Sequence, residues 1–147
     1  MPYGKIWVEM MKKIFFDTNV IIDVMVAREP FFTNSMAVLS LCETGKAEGI
    51  VSTLTFCNVS YILRKLTAPA DLRSNLLLFR KLLTPVDLSA SLVDKAIASS
   101  ISDFEDAIQY YSAQYGKADF IITRNVRHFP KTPIPVLTPT EYLAITT

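Results

Sequence analysis

The chain has 147 residues, half of them hydrophobic, and carries a net charge of +1. That is the size of one ordinary domain, with enough apolar side chains for a large core and too many for a disordered chain. No uncharged apolar run reaches the ~18 residues that cross a bilayer, and the near-neutral balance gives no general attraction to nucleic acid, so any cations that hold it must be local.

Residues 1–10 (MPYGKIWVEM) lack the apolar stretch and small-residue cleavage site of a signal peptide. They read as an N-terminal extension, since MKKIFFDTN from Met11 makes a natural start, and a single domain is expected over residues 11–147. Residues 14–16 read as a short buried strand, running into a helix over about 18–27. Pro30 breaks that helix by pushing its predecessor out of helical geometry. Helical spacing through Met36, Leu39, Ser40 and Glu43 spans 32–45, and Gly45 and Gly49 bracket a turn into a strand over 49–52. A helix over 55–66 follows, with Phe56, Val59, Ile62, Leu63 and Leu66 on one face.

Pro69 opens a helix to about residue 83, and 84–87 form a brief strand. An amphipathic helix begins at a Ser89 cap and runs to 99. A helix over 102–115, strands over 120–123 and 136–137, and a short helix from Pro139 complete the chain. Short apolar strands alternating with helices predict an α/β fold: a three-layer α/β/α sandwich around a mostly parallel sheet. Cys42 and Cys57 have no metal-ligand spacing and read as reduced, packed thiols, which suggests a reducing cytoplasm.

Three polar insertions interrupt this apolar pattern. Asp17-Thr18-Asn19 follows the first strand, where Asp17 serves either as a helix cap or as a carboxylate presented at the sheet's rim, the edge where open parallel sheets bind ligands. In SISDFEDAIQYYSAQYG, residues 100–116, Phe104, Ala107, Ile108, Tyr111 and Tyr115 share the expected core face. Asp103 and Asp106 flank that face at i,i+3, where two carboxylates repel unless a cation relieves them. Glu105 falls on the opposite side and completes Ser102-x-x-Glu105, a capping-box pattern. The third insertion, Thr123-Arg124-Asn125, follows the strand of ADFIITRN. Oxygen ligands of this kind suit a hard cation that keeps several waters.

FFDTNVIID, VSTLTFCNVSYILRK, DFEDAIQ and ADFIITRNVRHF, in that order over residues 13–130, resemble the PIN domain, a metal-dependent ribonuclease fold that includes VapC-type toxins; the wording looks like a bacterial subgroup. The resemblance implies a Mg²⁺- or Mn²⁺-dependent endoribonuclease leaving 3′-hydroxyl and 5′-phosphate ends. It makes Asp17, Asp103 and Asp106 metal-binding and catalytic residues, supported by Asn19, Asn58, Thr123 and Asn125. Arg124 and Arg127 are the candidate RNA contacts, with Arg64 and Lys65 reading better as a solvated helix end. It also implies an antitoxin protein that covers the site, often with an arginine, and a homodimer.

Two positions depart from the pattern: Asn58 stands where toxin-like members carry a glutamate, and His128, the only histidine, stands where an acid is usual. His128 reads as a loop residue. The first departure leaves a second reading open, a weakened PIN-fold module that binds RNA or a protein partner without cleaving. Other phosphate enzymes fit poorly, since Asn19 denies the DxDxT of haloacid-dehalogenase folds and the acidic pair of a receiver domain is missing.

Overall fold

The computed structural model describes residues 11–130 and 132–146; the expected extension over residues 1–10 lies outside them. Five strands form one sheet in the order β3-β2-β1-β4-β5, every neighbouring pair parallel. The strands are β1 (Lys12–Phe16), β2 (Ala47–Ser52), β3 (Thr84–Val86), β4 (Phe120–Ile122) and β5 (Val136–Leu137). The helices are α1 (Thr18–Met25), α2 (Phe32–Glu43), α3 (Thr53–Leu63), α4 (Pro69–Leu82), α5 (Ala90–Ala98), α6 (Phe104–Tyr115) and α7 (Pro139–Thr146).

β1 sits at the centre, and its alternating side chains build two cores. Ile14 and Phe16 point into a cluster with Val20, Val38, Val59 and Leu72, which joins α1 to α4 on one face. Phe15 points the other way, to Tyr110 and Ala113 of α6, and α5 packs behind through Leu92 and Ala96 against Ala107 and Ile108. This is the expected three-layer sandwich, with both faces of a parallel sheet covered. Gly49 lets β2 lie tightly under its neighbours, because a Cβ there would collide with Leu83 and come within 2.9 Å of Cys42 Sγ.

Several element ends differ from the sequence reading. α1 stops at Met25, and Ala27 takes a left-handed φ of 50°. β2 begins at Ala47, and α3 begins at Thr53 because Ser52 caps it through Leu54 N. α6 buries Ala107–Tyr110, Ser112 and Ala113, while Phe104 and Tyr115 overhang its ends at 52% and 66% exposure. Small residues let the helix approach the sheet closely, so the large aromatics at its ends fall beyond the sheet. Both cysteines are free, but only Cys42 is packed, its thiol pushed up to about 12 by burial; Cys57 is exposed, contrary to the expectation of a packed thiol. Among the described residues no helix is long and apolar enough to cross a membrane.

Candidate functional site

The registers pair Phe16 with Ile122 and Ile122 with Leu137. The residues that follow, Asp17, Thr123 and Thr138, therefore stand side by side along the carboxyl rim of the sheet. Asp17 N–H continues the ladder to Ile122 O at 2.9 Å, and Thr123 N–H to Leu137 O at 3.0 Å.

Asp17 does both of the jobs its sequence position suggested. Its Oδ1 caps α1 by accepting Thr18 N–H at 2.7 Å. Its Oδ2 accepts the Thr123 hydroxyl at 2.8 Å and, more weakly, Asn19 Nδ2 at 3.4 Å. Asn19 also donates to Thr123 Oγ1 at 3.2 Å and accepts Arg124 N–H at 3.3 Å, while Asn125 N–H reaches Thr123 Oγ1 at 3.0 Å. Asp17, Asn19 and Thr123 thus form one lattice at the strand ends; Asn125 joins it through its backbone, its residue exposed. Asp17 is only 5% exposed. Burial raises its carboxyl from 3.8 to about 6; the Thr123 hydrogen bond opposes the rise, and the Asp106 and Glu105 charges add to it.

The acidic helix start is arranged differently from the sequence reading. The expected Ser102-x-x-Glu105 box does not form. Asp103 is the N-cap of α6, accepting Asp106 N–H at 3.0 Å, and it is exposed. An acid one residue before the helix satisfies an orphan donor, which is why Asp103 displaces Ser102. Asp106 turns inward, its side chain 15% exposed, with His128 Nδ1 3.5 Å from Oδ2. Its carboxyl is raised by burial and by the Asp103 charge, with His128 opposing. Glu105, set aside as structural by its spacing, is exposed on the surface, yet its carboxyl is raised by loss of hydration and by Asp103 and Asp106, with Asn58 opposing. Asn58 lies against Glu105 without a hydrogen bond of normal geometry, since its buried Nδ2 has no partner. The residue in the slot of the missing glutamate therefore faces another glutamate.

Arg124 is not a free surface cation. Its Nε lies 2.6 Å from Asp23 Oδ2, bent from hydrogen-bond alignment, and its guanidinium covers the Phe31 ring at 4.6 Å. Asp23 is fully buried, with Arg28 at 3.7 Å on its other oxygen. An acid inside the apolar VIIDV run was the signal for this pairing, because such a charge is almost never buried without a cation. Arg127 is exposed on a 3₁₀ turn, Val126–His128. Arg64 folds back on its own helix, donating to Tyr61 O and lying 3.7 Å over the Tyr61 ring, and Lys65 is exposed.

Beneath the rim lies a polar hub that the sequence reading missed. Thr18 and Thr55 hydroxyls meet at 3.1 Å, and Gln109 Nε2 reaches them at 3.3 and 3.5 Å. It ties α1, α3 and α6 together directly below Asp17.

Among the described residues no three His, Cys, Asp or Glu side chains stand close enough, as they are, to close on one ion. The chemistry of the donor set nonetheless fits a hard divalent cation. It is all oxygen and amide, its three carboxyls Asp17, Glu105 and Asp106 are each raised by burial and the other acids, and Mg²⁺ needs only one or two carboxylates beside its waters.

A parallel α/β sandwich with a buried carboxylate at the carboxyl rim of its sheet places the site where open α/β folds bind ligands. The PIN domain family matches residues 13–127, and the chain belongs to it. Among solved structures, the chain is similar to the toxin–antitoxin complex from Klebsiella pneumoniae, with 22% identity, TM-score 0.65, and 86% of this chain and 97% of that one covered. It is also similar to VapBC2 from Rickettsia felis bound to a DNA fragment from their promoter, with 17% identity, TM-score 0.64, and 85% and 96% covered. No curated protein sequence matches the chain significantly.

Proposed function

We propose that the chain is a divalent-metal-dependent endoribonuclease of the toxin type, held in check by a small antitoxin protein. The observation that carries this reading is the buried Asp17 carboxylate, fixed at the rim by Thr18 and Thr123 and raised first by its burial and then by the charges of Asp106 and Glu105. Such a charge deficit is what a cation relieves. Asp17 and Asp106 would hold Mg²⁺ or Mn²⁺, Glu105 would be the third acid in place of Asp103, and Asn58 and Asn19 would orient water. When bound, the cation supplies an acidified water and offsets charge on the phosphate. The lattice through Asn19 and Thr123 keeps the Asp17 oxygens aimed, and Asp103 holds the helix that carries Asp106.

With Glu105 beside Asn58, the missing glutamate need not leave the site short of acid, so the cleaving reading is preferred to the binding-only one. The likeness to toxins seen in toxin–antitoxin complexes favours an antitoxin partner. Exposed Tyr61, Ile62 and Leu66 at the end of α3 and Leu77 and Leu78 on α4 offer apolar surface to it or to a second copy. A cavity of about 630 Å³ between α1, α2 and α4, lined by Met25, Phe32, Met36 and Phe79, lies on that apolar side of the molecule.

The test is cleavage of a labelled RNA with Mg²⁺, Mn²⁺ or EDTA, comparing the native chain with Asp17→Asn, Asp106→Asn and Glu105→Gln. EDTA-sensitive cutting that each variant reduces by about a hundredfold or more supports the reading. Cutting that survives EDTA, or survives Asp17→Asn, refutes it.

A further inference from the structure

A second, smaller concavity opens on the same rim as Asp17. It has a volume of about 160 Å³ and is lined by Phe31, Asn34, Ser35, Arg124, Thr138 and Thr140, among others. Thr138 follows β5, two strands from Asp17, and strands lie about 4.8 Å apart. A strand whose phosphate meets Asp17 can therefore lay a neighbouring base over this pocket. The volume is below the ~300 Å³ at which drug-sized ligands begin and suits one flat ring system.

The lining is rich in donors, with Asn34 Oδ1 and the hydroxyl lone pairs as its acceptors. Thr140 Oγ1 accepts Asn34 Nδ2–H at 2.8 Å, and Thr138 Oγ1 accepts Glu141 N–H at 3.1 Å. With those oxygens accepting, each hydroxyl proton is left to donate. Ser35 is 0% exposed, and its Oγ has no partner. A buried hydroxyl without a partner is a costly group in a wall that a ligand atom can satisfy. Arg124 faces Asp23 through Nε alone, so of its five N–H donors those on the terminal nitrogens remain. Asp23 offsets part of its charge, and Arg28 shares the same carboxylate. Phe31 adds an aromatic wall, 37% exposed.

We propose that this pocket is a subsite for one unpaired nucleobase of the RNA lying across the Asp17 rim, and that its donors select an acceptor-rich edge, guanine above the others. Guanine offers O6 and N7 together as acceptors, and arginine is their commonest partner. Single-stranded bases are held against aromatic rings and guanidinium planes in this way. The inference deepens the proposed ribonuclease reading and rests on RNA being the substrate.

The test is fluorescence anisotropy with the full chain and labelled hexauridine carrying a single G, A or C at one central position, in Ca²⁺ so that the acidic rim holds a hard cation, with gels to show that the strands stay whole. The native chain should bind the G strand about tenfold more tightly than the others. Asn34→Ala and Thr140→Val, both at the pocket's mouth, should each bring the four strands to within about twofold. Thermal melts establish that both variants fold. Equal binding of all four strands by the native chain overturns the inference, as does a preference that survives both variants. Variants that leave RNA binding alone yet weaken the hold of a protein partner would assign the pocket to that partner's side chain instead. The two readings fail separately: Mg²⁺-dependent cutting without base preference removes the subsite and keeps the nuclease, whereas base preference without any cutting does the reverse.

Discussion

Replacing Asp17 with asparagine should stabilise the metal-free protein at neutral pH, an unusual outcome for a change at a buried, hydrogen-bonded residue. The Asp17 carboxyl stands at about 6 in the folded chain against an ordinary 3.8. A raised carboxyl means the folded state holds its proton more tightly than the unfolded state. The associated stability is fully present below the ordinary value and is lost as pH rises through the folded one. At ~1.4 kcal/mol per pH unit, that gap makes the ionised carboxylate cost about 3 kcal/mol at pH 7.5, roughly half of it already developed at pH 5. Glu105, Asp106 and Asp23 are raised as well, so their contributions have the same sign. Asparagine removes the charge and keeps an amide oxygen for the Thr18 cap, since both residues are good N-caps. Urea denaturation in EDTA should show the native chain losing about 1.5 kcal/mol from Asp17 between pH 5 and pH 7.5, and the variant being spared that loss. With Mg²⁺ or Mn²⁺ added at pH 7.5 the order should reverse, the native chain gaining stability and the variant gaining little. A variant less stable than the native chain at pH 7.5 in EDTA, with parallel pH profiles, would refute the argument that the Asp17 carboxylate is held at a deficit.

Three further changes follow from the surroundings of that carboxylate. Arg124→Ala leaves the fully buried Asp23 with only Arg28 at 3.7 Å, and should cost about 3 kcal/mol in urea titrations, more at pH 7.5 than at pH 5; adding Asp23→Asn should recover most of it, and a cost independent of pH would sink the ion-pair account. Gln109→Leu should cost less than about 1 kcal/mol, because it removes a buried Oε1 with no partner and two long hydrogen bonds while the Thr18 and Thr55 hydroxyls keep each other; a loss above about 2 kcal/mol would show that the amide is essential to the hub. Asp103→Ala should cost about 1 kcal/mol of stability by uncapping α6, Asp103→Asn close to nothing, and RNA cutting by Asp103→Asn should stay near native; loss of cutting there would return Asp103 to the metal.

The layers and the parallel sheet were legible because burial leaves a period in the sequence. Ile14, Phe15 and Phe16 alternate between two cores, and a strand apolar on both faces reads as a central one. Asp17, Asn19 and Thr123 were legible for a related reason: polar groups that directly follow such strands have one place to go, the rim. The acidic helix was harder, because spacing does not say which residue caps it. Spacing alone put Glu105 on a capping box from Ser102, but the helix begins at Phe104 with Asp103 as its cap, and Glu105, exposed like Asp103, stands beside Asn58. A shift of one residue in the cap thus turns Asp103 from an acid on the helix flank into the residue that closes its end. Asp23 and Gln109 gave no periodic signal, since each is a polar residue inside an apolar face whose meaning depends on a partner about a hundred or ninety positions away. Long-range pairing of this kind is visible only once the sheet order has brought β4 beside β1, and it also explains Arg124. That arginine looked like a free cation in the sequence, but β4 ends one strand away from the helix carrying Asp23, and the buried carboxylate there takes its Nε edge and fixes where the rest of the guanidinium points.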